Sequence, residues 1–531
     1  MGSFHSTRLS FLRSLLRRVH CEAWTFDRRC WSIDAAGIGH AVYTVTGPER
    51  SYSLVCFAHD LPDDQRSDRV IATAWDATFA LFDGVPSETD IARLAHHVPR
   101  QEAGRVTDRE LSLSRANRSV RLFNHVVDRL AEGRQPDPLP VEAVGYLMRT
   151  TAVYGSGKFG AADRVKIAER PELKAPFQAE MLSVWLIRSF SLDLVEHLAR
   201  QRGGERAAPL DPALRRRFGV GNSTGLGMAP FLVNHPVLLN NWMMARETAL
   251  ARVRNLAQTG ATEKSGFRAA LERARNNAGL WQSEHPDQQN KLAALRADLD
   301  ALAAWTASDH SLSERYPWNA LWHRAADCLS LEGQEALVSL LLEPHGALVD
   351  DLADSMDADE DSVFRIDGAM SVSALRAIVS ATFGWALGVD YDKPANCARF
   401  WYVSEEKLEP RLGERHREDG AQCEQPLAIG RDAARMAADL NSWDGEASVA
   451  AFLSSHPEHR HMARRAQIAD RYPYAEIRDN LISAELLPID LLRCKLSFFG
   501  ADRFDPRSDR WVRICLFQDA PFPHEILRAP A

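Results

Sequence analysis

The pattern of apolar and polar positions changes its period along the chain. Residues 39–46 and 52–57 are rich in valine, tyrosine and other strand-forming residues, and Gly47 and Pro48 between them supply turn chemistry. These two segments are predicted to form a β-hairpin. Residues 69–82 fit either a third strand or a buried helix, because the period of a short apolar run does not separate the two.

Helical periodicity dominates the middle of the chain. In residues 108–131 the apolar positions recur at helical spacing among arginines and glutamates, and residues 141–153 fit a helix at least as well as a strand. Residues 236–256 and 289–305 show the pattern most clearly, and Pro236 stands at a first helical position, where proline is favoured. We therefore expect helices to fill most of the chain.

Strand-forming residues return near the end of the chain. Residues 494–499 and 511–518 flank a turn at Asp505 and Pro506, and they are predicted to form a second hairpin. Because an isolated hairpin is marginally stable in water, each hairpin needs a partner. The sequence therefore predicts an α+β fold, with a predominantly helical body and a small antiparallel β-sheet formed by hairpins near the N- and C-termini.

The length of 531 residues suggests several folding units, because single domains are usually about a third as long. Three prolines within residues 134–140 interrupt the helical pattern and mark the first boundary. We predict three parts. Residues 1–135 hold the N-terminal hairpin and helices, and residues 136–345 form a helical domain with two glycine-rich loops. Residues 346–531 form a helical segment ending in the C-terminal hairpin, which packs with the N-terminal sheet.

Composition and charge narrow the class of protein. A hydrophobic fraction of 45% and a charged fraction of 26% are those of an ordinary globular protein. The net charge of −8, with both signs interspersed, argues against a nucleic-acid partner. No apolar run approaches the ~20 residues needed to cross a membrane. Eight cysteines without a Cys-x-x-Cys pair favour reduced thiols in a cytoplasm, and the arginine-rich composition suggests a bacterial protein, with a homodimer as the default.

Lysine is scarce, since it makes up only eight of the 64 basic residues, so a retained lysine is a candidate for chemistry that arginine does not perform. Lys158 lies between Gly157 and Gly160, and it follows Tyr154 at the spacing of a Tyr-x-x-x-Lys pair. The surrounding G-x-G-x-x-G order matches a nucleotide-binding loop only weakly. The alternative is a glycine-rich turn between two helices, with Lys158 at the surface.

A second glycine-rich segment, residues 218–235, contains Gly221, Asn222, Ser223 and Thr224. Its backbone amides and polar side chains are suited to surrounding an anion, and the positive end of the following helix would add to the attraction. The alternative is a helix connection in which small polar residues cap the ends.

A third polar segment, residues 391–411, mixes aromatic residues with both signs of charge. Its aromatic rings are suited to an apolar wall that raises the proton affinity of Glu405 or Glu406, while Arg399 or Arg411 binds a substrate carboxylate. The alternative is a surface strand and helix cap with ion pairs.

His456, His459 and His461 form the densest histidine cluster of the chain. The first two would share a helical face, but the third lies off it, and the spacing supplies no further ligand. We therefore predict a solvated helix start and no metal.

These segments together predict a cytoplasmic metabolic enzyme that acts on a small carboxylate- or phosphate-bearing substrate by acid-base chemistry of the lyase, isomerase or hydrolase type. The predicted catalytic residues are Lys158, Tyr154, Glu405, Glu406 and Lys393. The predicted substrate-binding residues are Gly157, Gly221, Asn222, Ser223, Thr224, Asn234, His235, Arg399, Tyr402 and Arg411. No cofactor is predicted. The alternatives are an enzyme using pyridoxal phosphate, flavin or another nucleotide cofactor at the glycine-rich loops, and a non-catalytic helical interaction scaffold.

Overall fold

A computed structural model gives the fold for residues 7–60, 76–100, 107–119, 122–155, 158–159, 167, 169–175, 177–222, 236–280, 286–354, 356, 364–391, 402–403, 410–411, 422–423, 427–475, 503–505, 513–522 and 525. The strands are β1 (Thr25–Ile33), β2 (Gly39–Thr46), β3 (Ser51–Ala58), β4 (Ala77–Asp83), β5 (Glu110–Arg118), β6 (Tyr146–Gly155), β7 (Lys158–Phe159), β8 (Gly219–Asn222), β9 (Tyr402–Val403), β10 (Pro410–Arg411), β11 (Gln422–Cys423), β12 (Arg503–Asp505) and β13 (Arg513–Leu516).

The α-helices alternate with these strands at first and then dominate the chain. They are α1 (Phe11–Cys21), α2 (Glu88–His97), α3 (Phe123–Ala131), α4 (Pro138–Val144), α5 (Gln178–Gly203), α6 (Pro212–Arg217), α7 (Pro236–Arg254), α8 (Ala261–Leu280), α9 (Pro286–Trp305), α10 (Pro317–Cys328), α11 (Leu331–Leu342), α12 (Gly346–Asp354), α13 (Val372–Leu387), α14 (Leu427–Ser442), α15 (Val449–Ser455) and α16 (Arg460–Arg471).

Within the described part of the chain, ten strands form one sheet. Their order is β1-β2-β3-β4-β5-β6-β8-β13-β12, and β7 pairs with β6. Neighbouring strands are antiparallel, except that β6 and β8 are parallel. The β-hairpin predicted from residues 39–57 is confirmed, because β2 pairs with β3 from Gly39 opposite Ala58 to Thr46 opposite Ser51.

The prediction of a small sheet formed by hairpins near the two termini is wrong. The strands β4, β5, β6 and β8 stand between the β2–β3 hairpin and the β12–β13 pair, so the two pairs are not neighbours in the sheet. Of the predicted second hairpin, residues 494–499 lie outside the described residues, and β12 includes Asp505 of the predicted turn. β4 and β5 are buried along most of their length. A strand covered on both faces lacks the alternation of apolar and polar residues that identifies a half-exposed strand.

Two segments that fit a helix in the sequence contain strands instead. Residues 108–131 divide into β5 and α3, and residues 141–153 divide into the end of α4 and most of β6. Gly145 ends α4 in the left-handed conformation, with a φ of 76°. Glycine adopts this conformation without the steric cost that other residues carry, so it stops the helix one residue before β6 begins. The helices predicted at residues 236–256 and 289–305 are confirmed as α7 and α9.

The long helix α5 lies across one face of the sheet. It contacts β3, β5, β6 and β8, and it is also covered by α1 and α3. Trp185 and Phe190 of α5 are fully buried. The guanidinium of the equally buried Arg188 donates to the carbonyl oxygens of Phe218 at 2.6 Å and of Ala520 at 2.8 Å. α5 therefore fixes the sheet and the segment after β13 to one core. The opposite face of the sheet packs on Leu94 and residues near the end of α2.

The N-terminal helix α1 docks on the helical body. Its Phe11, Leu12 and Leu15 are buried in the main core. The guanidinium of Arg8, just before the helix, lies 2.6 Å from a carboxylate oxygen of Asp350 in α12. The helix α1, which contains Arg13, Arg17 and Arg18, is thus packed against the rest of the protein. Among the described residues, no helix combines the length and the apolar character that crossing a membrane requires.

The helices α13 to α16, with residues 364–371 before them, surround a second apolar core, and we call this part the helical unit. Its buried residues are Val372, Leu375, Val379, Phe383, Ala386, Ala433, Met436, Leu440, Val449, Phe452, Met462, Ala463 and Ala466. A small apolar cluster of Val237, Ile468 and Ala475 joins the helical unit to α7. The backbone N–H of Tyr474 also donates to Asn240 Oδ1 at 3.1 Å.

Candidate functional site

The first two glycine-containing segments contribute the strands β7 and β8, which both pair with β6. Tyr154 lies in β6 and Lys158 in β7, and Gly155 pairs with Lys158, so this stretch is a β-hairpin and not a turn between helices. β8 pairs with the same edge of β6 as β7 does, opposite β5, and it ends at Asn222, whose Cα partner is Thr150. The other predicted residues of these segments, Gly157, Ser223, Thr224, Asn234 and His235, lie outside the described residues.

Gly221 has a packing role in β8. A Cβ atom at this position would lie 2.7 Å from carbon atoms of the Tyr146 ring, which is 4% exposed. That separation is shorter than any normal contact between two carbon atoms. The close approach of the strand to a buried ring therefore accounts for this glycine without a ligand.

The third predicted segment contributes to a separate sheet. Tyr402 in β9 and Arg411 in β10 are Cα partners, and β9 also pairs with β11. In the described part of the chain, this sheet has three strands in the order β10-β9-β11. Lys393, Arg399, Glu405 and Glu406 lie outside the described residues.

A surface cleft opens on the helical unit, at the start of α16. Its described lining residues are Phe364, Arg365, Ile366, Pro457, Glu458, Arg460, His461 and Arg464. Residues 364–366 form the wall opposite α16, and the buried Gln467 of α16 holds the backbone that follows them in place. Its side-chain oxygen accepts from Asp367 N at 2.8 Å, and its side-chain nitrogen donates to Asp367 O at 3.1 Å.

Local sequence explains how the polar residues reach this cleft. Pro457 opens a short 3₁₀ turn that ends at His459 and leads directly into α16. Residues three or four positions apart lie on the same face of a helix, so Arg464 stands beside both Arg460 and His461. The guanidinium of Arg464 lies over the Phe364 ring, 5.8 Å from its centroid, and its Nε donates to the Phe364 carbonyl at 3.3 Å.

The cleft carries an excess of positive charge. Among the described residues that line it, three are arginines, one is a histidine and one is a glutamate. Partial desolvation of the His461 ring, whose residue remains exposed at the surface, lowers the pKa of this imidazole, and the positive charge of nearby Arg465 adds to the effect. The backbone N–H of Glu458 and the ring of His456 lower the pKa of the Glu458 carboxyl. The cleft is therefore suited to an anion more than to a cation, with Glu458 ionised at its rim.

A histidine and carboxylate cluster adjoins the cleft and shares Glu458 with it. The cluster consists of Asp439, His456, Glu458 and His459, and one ligand atom from each lies within 4.8 Å of those from the other three. His459 Nε2 lies 2.6 Å from Asp439 Oδ2, and His456 Nδ1 lies 3.1 Å from Glu458 Oε1. Imidazole nitrogen and carboxylate oxygen are both metal ligands in proteins.

Aromatic packing holds both imidazole rings of this cluster. The His459 ring is stacked on Phe452 at 5.8 Å with an interplanar angle of 2°, and the His456 ring is stacked on Phe452 at 5.0 Å. Trp443 meets His456 edge to face at 5.4 Å. The side chain of His459 is only 7% exposed, so this part of the histidine run is packed in the helical unit and is not the solvated helix start expected from the sequence.

Sequence reasoning missed two features of this region. Asp439 belongs to α14. A loop and the helix α15 separate α14 from the histidine run, so no local spacing in the sequence connects Asp439 with His459. Arg365 lies before α13 and reaches the cleft through the folding of the whole helical unit. The signal that the sequence did contain was the density of histidines at residues 456–461.

Comparison with known proteins adds no relative to these observations: no protein-family model, no curated protein and no solved structure matches the chain.

Proposed function

We propose that the chain is an enzyme that binds a small carboxylate- or phosphate-bearing substrate in the cleft of the helical unit and acts on it by acid-base chemistry. The observation that carries this proposal is the charge of the cleft, where Arg365, Arg460 and Arg464 stand against one glutamate among the described lining residues. Arginine binds carboxylate and phosphate oxygens through paired N–H groups, and such charge-assisted hydrogen bonds are stronger than neutral ones.

The cleft also supplies a group for proton exchange. His461 lines it one residue after Arg460, and imidazole is the side chain that most often transfers protons in enzymes. In this arrangement the arginines bind and orient the anionic group, and His461 faces the part of the substrate that gains or loses a proton. The reaction class remains that predicted from the sequence, a lyase, isomerase or hydrolase reaction.

Anion binding is the step that can be measured before the substrate is known. The full chain is titrated with inorganic phosphate and with succinate, and binding is followed by calorimetry and by the rise in melting temperature. We expect saturable binding that weakens as the salt concentration increases, because the attraction is electrostatic. Arg460→Gln and Arg365→Gln should each lower the affinity about tenfold, since a hydrogen bond to a charged group contributes about 1.5 kcal/mol.

Arg435→Gln is the matched control. Arg435 belongs to the same helical unit, its side chain is 65% exposed, and it is not among the lining residues of the cleft. Its replacement should leave the anion affinity unchanged. A uniform loss in all three variants would mean non-specific attraction, and no saturable binding to either anion would contradict the proposal and favour the non-catalytic scaffold.

A further inference from the structure

We propose that Asp439, His456, Glu458 and His459 form a binding site for one divalent transition-metal ion of the zinc class. Two imidazole nitrogens with two carboxylate oxygens are a donor set that zinc accepts. Magnesium and calcium prefer sites made of oxygen atoms alone, so the two histidines argue against them. The inference goes beyond the proposed anion binding and does not depend on it.

The separations between the four ligand atoms fit a metal ion. In a tetrahedral site with bonds of about 2.0–2.1 Å, neighbouring ligand atoms are about 3.3 Å apart. Here His459 Nε2 lies 2.6 Å from Asp439 Oδ2, 3.1 Å separates His456 Nδ1 from Glu458 Oε1, and His459 Nε2 lies 4.0 Å from Glu458 Oε1. These three distances lie on both sides of the tetrahedral value, and all four ligand atoms lie within 4.8 Å of one another, so side-chain rotations would have to equalise them around an ion.

The hydrogen bonds now present involve the same ring nitrogens and carboxylate oxygens that would bind the ion. An imidazole N–H of each histidine faces a carboxylate oxygen. Ligation requires a lone pair at His456 Nδ1 and at His459 Nε2, so the ring proton must stand on the other nitrogen of each ring. The ion then takes the place of the proton in each of the two histidine–carboxylate hydrogen bonds. It connects the pair of His456 and Glu458 with the pair of His459 and Asp439.

The residues around the cluster restrain the two imidazole rings and leave the two carboxylates accessible to solvent. Phe452 is stacked against both imidazole rings, which limits their rotation before any ion arrives. The side chains of Asp439 and Glu458 are 43% and 59% exposed, so an ion has a path from solvent. A metal here would bind α14 to the turn before α16, because Asp439 and the histidines come from these two elements. We therefore expect metal binding to stabilise the helical unit.

The test is a zinc titration of the full chain, stripped with a chelator and dialysed into an anion-poor buffer near neutral pH. Calorimetry should give one specific equivalent per chain, together with a rise in melting temperature that the chelator reverses. His456→Gln and Asp439→Asn should each weaken this equivalent by about tenfold or more, as loss of a metal ligand or of its support does. Both residues are partly exposed, so these variants test the site without removing the buried His459.

His461→Gln is the matched control, because His461 belongs to the same histidine run but not to the cluster. It should keep the zinc affinity of the original chain. The proposal is overturned if no equivalent binds specifically, or if His456→Gln binds zinc as tightly as His461→Gln does. In either case the cluster is a set of hydrogen bonds that joins helices. Because the buffer contains no candidate substrate, this outcome leaves the anion-binding proposal to its own test.

Discussion

At the residue scale, we expect His59 to make the stability of the sheet depend on pH. It follows β3, and its Nε2 lies 3.2 Å from Thr78 Oγ1 of β4. Burial lowers the pKa of His59 to about 4, and the neighbouring Asp60 offsets this effect only in part. In the unfolded chain the pKa is about 6.5, so between these values the unfolded state binds a proton that the folded state does not. The contribution of His59 to stability is therefore expected to be complete above about pH 6.5 and to fall toward pH 4.

The size of this loss can be measured by urea denaturation at neutral pH and near pH 5. With these two pKa values, the free energy of unfolding should fall by about 2 kcal/mol through His59 alone. The variant His59→Gln cannot take up this proton, so its stability should decrease less over the same interval. Equal decreases in the original chain and in His59→Gln would show that His59 does not control this pH dependence.

At the element scale, Gly145 decides where α4 stops and β6 starts. Its φ of 76° lies in the left-handed region. Alanine at this position carries a backbone strain of about 1–2 kcal/mol, whereas asparagine tolerates the same conformation better. We expect Gly145→Ala to lower the free energy of unfolding by about 1–2 kcal/mol and Gly145→Asn to lower it less. Urea denaturation of the two variants checks the order, and an equal loss would mean that side-chain crowding, not φ, determines the cost.

The helices and strands differ in how well the sequence predicts them. The β2–β3 hairpin and the helices α7 and α9 follow local patterns, namely a turn between strand-forming residues and a long helical period. β5 and β6 were obscured because burial of most of β5 removes the alternation that marks a strand, and because the stop signal for α4 was a single glycine. The cleft and the histidine–carboxylate cluster were likewise predictable only where a local sequence pattern marked them. The histidine run was visible in the sequence, but Asp439 and Arg365 join it only through the folding of the helical unit.

At the scale of the whole molecule, the described residues form two large apolar cores joined by a small contact. The main core extends from α1 through the sheet to α12, and the second core lies inside the helical unit. Between them, Val237 of α7 packs with Ile468 and Ala475. Regions that share few contacts can open separately, each with its own free energy. We therefore expect the helical unit, and with it both candidate sites, to unfold locally without the sheet.

Two core substitutions test this independence. Leu375 in α13 and Leu54 in β3 are both fully buried, one in each core. Replacing a buried leucine with alanine costs about 2–5 kcal/mol, which corresponds to at least about 30-fold faster hydrogen exchange where the affected unit opens. Leu375→Ala should accelerate exchange in α13 to α16 and leave β2 to β5 unchanged, while Leu54→Ala should accelerate exchange in β2 to β5. If Leu375→Ala accelerates both regions by the same factor, the two cores unfold as one cooperative unit, and the contact at Val237 couples them more strongly than its size suggests.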